Sequence, residues 1–390
     1  MIKGFELLAV TVTLSSIAYC AICLWSAAAF SRECKRLAGA GGRDTGQVSV
    51  SILKPLKGPD PEMYESFRSH CLQDYEEYEI IFGVSDPADP AIGLVERLEK
   101  EFPQRQLRLV LCSEDLGANT KVSNLIQMLR TARYEHLIVN DSDIRVEPDY
   151  LRRVTAPLAN PEVGLVTCLY RGIANATLGS RLESLGISTD FCAGVQMARR
   201  MEGIRFGLGS TLAFRRRDLD AIGGFEALAD YLADDYQLGL RFAEKGFKVE
   251  LSDVVVETFL PRYSISDFLS HQLRWARTIR DSRFWGHVGL GLTFGLPWAL
   301  LVLLLSGAAP WAWGLLALTA AMRVATAFAA GRWVLQDRQV LSLLYLIPLR
   351  DLIALLVWIA SFAGDKIHWR GDSFYLKDGK LERIELRDSA

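Results

Sequence analysis

The chain has 390 residues, room for one sizeable domain with additions or for two ordinary domains, and 44 basic against 46 acidic residues, a balance that excludes a basic nucleic-acid-binding domain. Hydrophobic residues make up 50 %, and their distribution decides the class: residues 7–31 and 288–322 carry no charge, whereas the section between them is charge-rich. A bilayer-spanning helix needs about 20 apolar residues, so both runs suffice.

In chain order, residues 1–36 are expected to be an uncleaved transmembrane anchor, being longer than a secretory signal and lacking a small-residue cleavage site before Arg32. Lys3 precedes the run, and Arg32, Lys35, Arg36 and Arg43 follow it, which places the central domain in the cytoplasm. Seven scattered cysteines predict no disulfide framework there, and the Cys20-x-x-Cys23 pair sits inside the apolar run as packing. "AGAGGRDTGQ", residues 38–47, reads as a linker.

From residue 46 to 264 strand and helix patterns alternate. "VSVSIL", "YEIIFGV", "LRLVLC", "HLIVN" and "VGLVTC" read as strands, with helices over 91–102 and 121–132 among the segments between them. Such alternation predicts a mostly parallel, doubly wound α/β sheet, whose ligands bind beyond the carboxyl ends of the strands. Lys54 and Lys57 stand at the end of the first strand, Asp86 and Asp89 after the second, and Asp141 and Asp143 after "HLIVN".

Asp141-Ser142-Asp143 is a DxD, two hard oxygen donors suited to Mg²⁺ or Mn²⁺, with remaining positions left to water and a diphosphate. Such an ion neutralises charge on a departing nucleotide diphosphate. Alone the tripeptide is weak evidence; its place after an apolar strand strengthens it. Asp234 and Asp235 begin a helix that ends near Gly246, where one acid suffices for capping and the other is left to face a substrate. Residues 265–287 carry Arg274, Arg277, Arg280 and Arg283 at intervals of three among aromatic and aliphatic residues, the pattern of an interfacial amphipathic helix; Arg274 beside Trp275 also suits phosphate.

The ordered series "KPLKG", "VSDPADPA", "NTKVSNL", "NDSDIRV", "ADDY", "HQLRW" and "HWRGDSFYL" resembles the ceramide glucosyltransferases, inverting GT-A enzymes of membranes, and the related bacterial hopanoid-biosynthesis glycosyltransferases. The likeness runs from Ser49 to about Leu376. It implies a GT-A (Rossmann-like) catalytic domain plus transmembrane helices, and transfer of a sugar, glucose first, from a UDP-sugar to a membrane lipid hydroxyl, ceramide first. By resemblance Asp89 is the first essential aspartate with Asp86 beside it, Asp141 the first metal ligand, and Asp235 the general base. Lys54, Lys121, Asn124 and His271 join the donor contacts, and Arg274 and Trp275 the catalytic set. His271 occupies the slot that the wider group fills with Gln or Arg; a histidine still donates to phosphate.

Beyond the interfacial helix, residues 288–363 are expected to hold two spans divided near residues 307–310 and then, over 341–363, a third span or a re-entrant hairpin interrupted by Pro348, Arg350 and Asp351; 364–390 form a cytoplasmic tail. Residues 174–207 have helical character and are expected to line an acceptor groove, with Asp190 as a polar candidate. A hopanoid polyol receiving N-acetylglucosamine is the alternative within the class. A processive polysaccharide synthase needs more spans, and a non-catalytic membrane scaffold would not need Asp141, Asp143 and Asp235 together.

Overall fold

Two strands that bury every residue, Val50–Leu56 (β1) and Tyr78–Val84 (β2), set the centre of a sheet covered on both faces, as parallel strands require. The computed structural model describes residues 2–39, 47–369 and 371–384. Around these strands the sheet adds Gln106–Leu111 (β3), His136–Val139 (β4), Ile144–Arg145 (β5), Val163–Ile173 (β6), Leu212–Arg215 (β7) and Lys248–Phe259 (β8), in the order β3-β2-β1-β4-β7-β6-β8-β5. β1 is parallel to β2 and β4, and β2 to β3; β7 is antiparallel to both β4 and β6, and β5 to β8. The expected α/β sheet is thus present, parallel over β3-β2-β1-β4, with an antiparallel half that the strand patterns did not foretell. Phe67 and Phe82, with ring centroids 4.8 Å apart, join Ile52, Ile80 and Tyr150 in its main apolar cluster.

Register positions the chemistry. Leu53 lies opposite both Ile81 and Val139, so β4 ends one residue short of Lys54, which sits within β1 rather than at its end as expected, since β1 continues beside β2 to Leu56. The amide of Asn140 still donates to the Leu53 carbonyl (3.2 Å), and the chain then turns away with Asp141 at the strand mouth.

This sheet belongs to one of two compact units: residues 36–170, 204–261 and those from 372 onward. The other comprises residues up to 35, 171–203 and 262–371. The linear boundaries expected from sequence therefore need correcting, because 171–203, assigned to the catalytic section, groups with the apolar helices. The tail assigned to 364–390 is also in part folded. Asp372–Lys377 (β9) and Lys380–Arg383 (β10) form a hairpin in the sheet unit, held by Leu381 donating to the Asp230 carbonyl (2.7 Å) and Leu232 to that of Gly379 (3.1 Å). Most of the linker expected over 38–47, together with Arg370 and 385–390, lies outside the described residues.

In the helical unit the helices Lys3–Arg36, Pro310–Val334 and Gln339–Ser361 are each long and apolar enough to cross a membrane. Phe284–Leu290 and Gly295–Leu305, bent by 48°, make a fourth span if taken together. The break between the second apolar run's two helices falls where expected: Gly307 and Ala308 turn in the left-handed region (φ 63° and 59°), and Pro310 starts the next helix, where its missing N–H costs nothing. Arg350 and Asp351 are buried, Asp351 pairing with Arg323 (3.0 Å).

The helix expected over 265–287 breaks at Arg283. Ser264 and Asp267 form a capping box at the start of Ile265–Ser282. Two arginines of its stripe bond to a neighbouring chain turn: Arg277 donates to the Ala363 carbonyl (2.6 Å) and Arg280 to those of Ser361 and Gly364, at the open end of the helix Ile347–Ser361.

Candidate active site

The site residues of the sheet unit converge from three chain segments. Asp141 leaves β4; Lys121 is the second residue of the helix Thr120–Leu129; Asp234 and Asp235 open the helix Asp234–Glu244. Asn119 caps the second of these segments, its side chain accepting from Val122 (3.2 Å), and its own Nδ2 donates to the Tyr231 carbonyl (2.7 Å). The approach to Asp234 is thereby fixed to the turn that carries Lys121.

The helix Asp234–Glu244 packs its backbone against residues 206–209. A methyl group at Gly239 would lie 2.3 Å from the Gly207 nitrogen, so only glycine permits this approach. Gly207 then donates to the Asp235 carbonyl (3.1 Å), and the amide of Gly209 to Asp235 Oδ2 (2.8 Å). Tyr236 donates from its backbone to Oδ1 (2.7 Å), leaving the carboxylate held by both oxygens. Neither acid is the helix cap, a position occupied by Ala233, which corrects the expectation that one of them would be.

Lys121 Nζ lies 2.9 Å from Asp141 Oδ1 and 3.2 Å from Asp234 Oδ2. Burial alone would lower this ammonium, yet Asp141 and Asp234 hold it above the usual lysine range. Burial and the neighbouring Asp234 carboxylate push Asp235 up to about 6, against the pull of Lys121. Asp143 also rises to about 6, from burial and the charge of Asp141, although Thr258 donates to its Oδ2. Lys54 is wholly buried beneath the strand mouth, donating to the Asp141 carbonyl (3.0 Å), and burial lowers it to about 7.

Lys121, Asp141, Asp234 and Asp235 are therefore brought together, with Asp143 and Lys54 adjoining. Three other sequence candidates serve the surrounding turns. Asp89 accepts from the amides of Gly58 (2.7 Å) and Ala91 (2.8 Å), tying the "KPLKG" loop to the next helix; Asp86 accepts from Ala88 (2.8 Å); and buried Asn124 accepts from Ser85 (2.9 Å). His271, Arg274 and Trp275 lie on Ile265–Ser282 in the helical unit. There the His271 ring stands between Tyr263 (5.5 Å) and Trp275 (5.1 Å), with Nδ1 3.2 Å from Glu183, and Trp275 meets Phe191 (6.0 Å). Asp60, which accepts from Ser142, and Thr258 were missed from sequence; Thr258 is reached only through its pairing with Ile144 across β8 and β5, which no local pattern reveals.

The donor set fits a divalent cation. Asp141 and Asp143 offer only hard oxygens, and burial together with the adjoining Asp141 charge disfavours a bare carboxylate at Asp143, a condition a cation relieves. Among the described residues no group of three or more His, Cys, Asp and Glu side chains is placed to hold a metal ion. Two protein ligands with open positions suit an ion shared with a diphosphate.

The family model of glycosyl transferase family 21 matches residues 8–382. The chain belongs to glycosyl transferase family 21. Among curated relatives of this family-21 chain, ceramide glucosyltransferase 3 of Caenorhabditis elegans is 27 % identical over 235 residues, covering 60 % of this chain and 51 % of that protein. Ceramide glucosyltransferase 1 of the same organism is 25 % identical over 58 % of this chain and 49 % of its own. The match thus spans about half the length of these relatives. The ceramide glucosyltransferase of Komagataella phaffii is 36 % identical over a shorter stretch, 25 % of this chain and 20 % of that one. Among solved structures, a mannosyltransferase from Pyrobaculum calidifontis in complex with GDP-Man and Mn²⁺ aligns over 90 % of this chain and 99 % of its own, at 20 % identity and a TM-score of 0.49.

Proposed function

We propose that this family-21 protein transfers glucose from UDP-glucose to the primary hydroxyl of ceramide, with inversion at the anomeric carbon. The observation that carries the reading is the convergence of Asp141, Lys121, Asp234 and Asp235 at the mouth of β4, with Asp235 raised to about 6 and fixed by two backbone amides. A carboxylate at that value remains ionised at neutral pH yet is a stronger base than an ordinary aspartate, which is what removal of a proton from a lipid hydroxyl asks of it. Asp235 takes the proton as the acceptor oxygen forms its bond to the anomeric carbon and the bond to the UDP oxygen breaks. Lys121 supplies positive charge to the diphosphate, and Asp141 and Asp143 would hold Mg²⁺ or Mn²⁺. That ion, when bound, supplies Lewis-acid stabilisation of the departing UDP.

Ceramide is favoured over a hopanoid because the curated relatives are named for ceramide. The apolar helices suit an acceptor that stays in the bilayer. We place the sheet unit in the cytoplasm, where UDP-sugars are made, on the strength of Arg32, Lys35 and Arg36 following the first span. Incubating purified full-length protein with a panel of UDP-sugars and ceramide or hopanoid lipid, with products read by mass spectrometry, tests the reading. Glucosylceramide with β linkage is expected; hopanoid glycosylation alone, or no glycolipid from any pair, contradicts it.

A further inference from the structure

The two lysines of the sheet unit's site are held in different ways. Lys54 is entirely buried and bonded to a main-chain oxygen, a fixture of the fold. Lys121 instead bridges the side chains of two acids that come from separate elements, with 18 % of its own side chain exposed against 40 % for Asp141 and 11 % for Asp234. It does so from the first turn of a helix, the end where the macrodipole disfavours a cation. The helix gains nothing from an ammonium there, so its position is explained by the two carboxylates. Its contact with Asp141 is made through Oδ1, one of the oxygens a divalent cation would take. A lysine ammonium is a compact charge on a flexible four-carbon stem, able to change partners without moving the backbone.

We propose that Lys121 is a displaceable counter-ion: in the donor-free protein it holds Asp141 and Asp234 together, and on donor binding it yields Asp141 to the divalent cation and turns to the diphosphate. The inference rests on the function proposed above, since it needs a cation-bound diphosphate beside Asp141. It adds that the site is occupied by its own cation beforehand, so that the two acids neither repel one another apart nor collect stray metal. Two consequences are separable from turnover. Metal alone must compete with Lys121, and removal of the lysine must tighten metal binding while weakening that of UDP.

The test uses the purified full-length protein in detergent. In the wild type, acetylation of Lys121 by an amine-reactive ester is followed by mass spectrometry without metal, with Mn²⁺, and with Mn²⁺ and UDP. The expected sequence is slow, about tenfold faster, and slow again, tenfold corresponding to ~1.4 kcal/mol of lost pairing. In Lys121→Met, calorimetry is expected to give about tenfold tighter Mn²⁺ binding without nucleotide and weaker UDP binding in its presence. Acetylation indifferent to Mn²⁺ in a wild type that binds Mn²⁺ overturns the inference, as does Lys121→Met with unchanged Mn²⁺ affinity. If the variant does not fold, the wild-type labelling decides alone. Failure of the wild type to bind Mn²⁺ at all would instead remove the metal from the proposed function, and the counter-ion role with it.

Discussion

The two units handle charge in opposite ways. In the helical unit Arg323 is held between half-buried Asp190 and buried Asp351, with Arg350 3.9 Å from Asp190, so both of these acids have a basic neighbour. At the mouth of β4 in the sheet unit, Asp141, Asp143, Asp234 and Asp235 share Lys121 and the buried Lys54, and burial first, then the neighbouring carboxylates, raise Asp143 and Asp235. Balanced charge among apolar helices is what a fold requires of groups withdrawn from water. Unbalanced charge at a strand mouth costs stability, and it is retained where a ligand completes it.

The largest effect expected is on chemistry. Asp235→Asn should lower turnover by about 10²–10⁴-fold, the range for loss of a positioned base, while UDP binding measured by calorimetry persists. Equal loss of UDP binding would turn Asp235 into a donor ligand and blur the division between a base and its neighbours. Next comes Arg323→Met, which leaves Asp190 and Asp351 facing each other without their shared cation. It should destabilise the helical unit by ~3–5 kcal/mol, read as a fall in thermal midpoint, with UDP affinity of the surviving folded protein unchanged. A harmless Arg323→Met would mean that the balance is incidental.

A pH titration sharpens the same contrast. Asp143 and Asp235 rise in the folded state to about 6 from an ordinary aspartate value of 3.8, so the stability they contribute is full below 3.8 and is lost as pH rises through 6. A divalent cation repays that loss only where the acids are ionised. The Mn²⁺-induced rise in thermal midpoint should therefore be larger at pH 7.5 than at pH 5, and kcat/KM should fall on the acid side near pH 6. The smallest effect is that of Thr258→Val. Removing the hydroxyl that donates to Asp143 takes away a bond favouring the charged form, so Asp143 should rise further and the acid limb move up by a fraction of a pH unit.

Much of this division was visible in the sequence, for physical reasons. Runs such as "YEIIFGV" are buried on both faces, and Asp141 could be placed because acids directly after such a strand fall at its open end. β7 escaped because four residues carry no period of their own. β8 did alternate between buried and half-exposed positions over much of its twelve residues, a strand signal that went unused. Residues 174–207 looked helical, yet periodicity does not say which body a helix joins, and 171–203 group with the apolar helices. The pairing of Lys121 with Asp141 and Asp234 depends on sheet order and on the close packing at Gly239, both tertiary facts. Asp89 shows the converse limit. Family resemblance marked it for the donor but did not announce that its two oxygens accept the backbone amides of Gly58 and Ala91, as Asp does when it shapes a turn.

The central claim, that the acids at the mouth of β4 bind a nucleotide diphosphate through a divalent cation, is met most directly by titrating UDP into the purified full-length protein with Mn²⁺, with EDTA, and with Mn²⁺ in Asp141→Asn. Saturable binding in the first case and its loss in the other two is the predicted result. UDP taken up equally well in EDTA, or undiminished by Asp141→Asn, would contradict it.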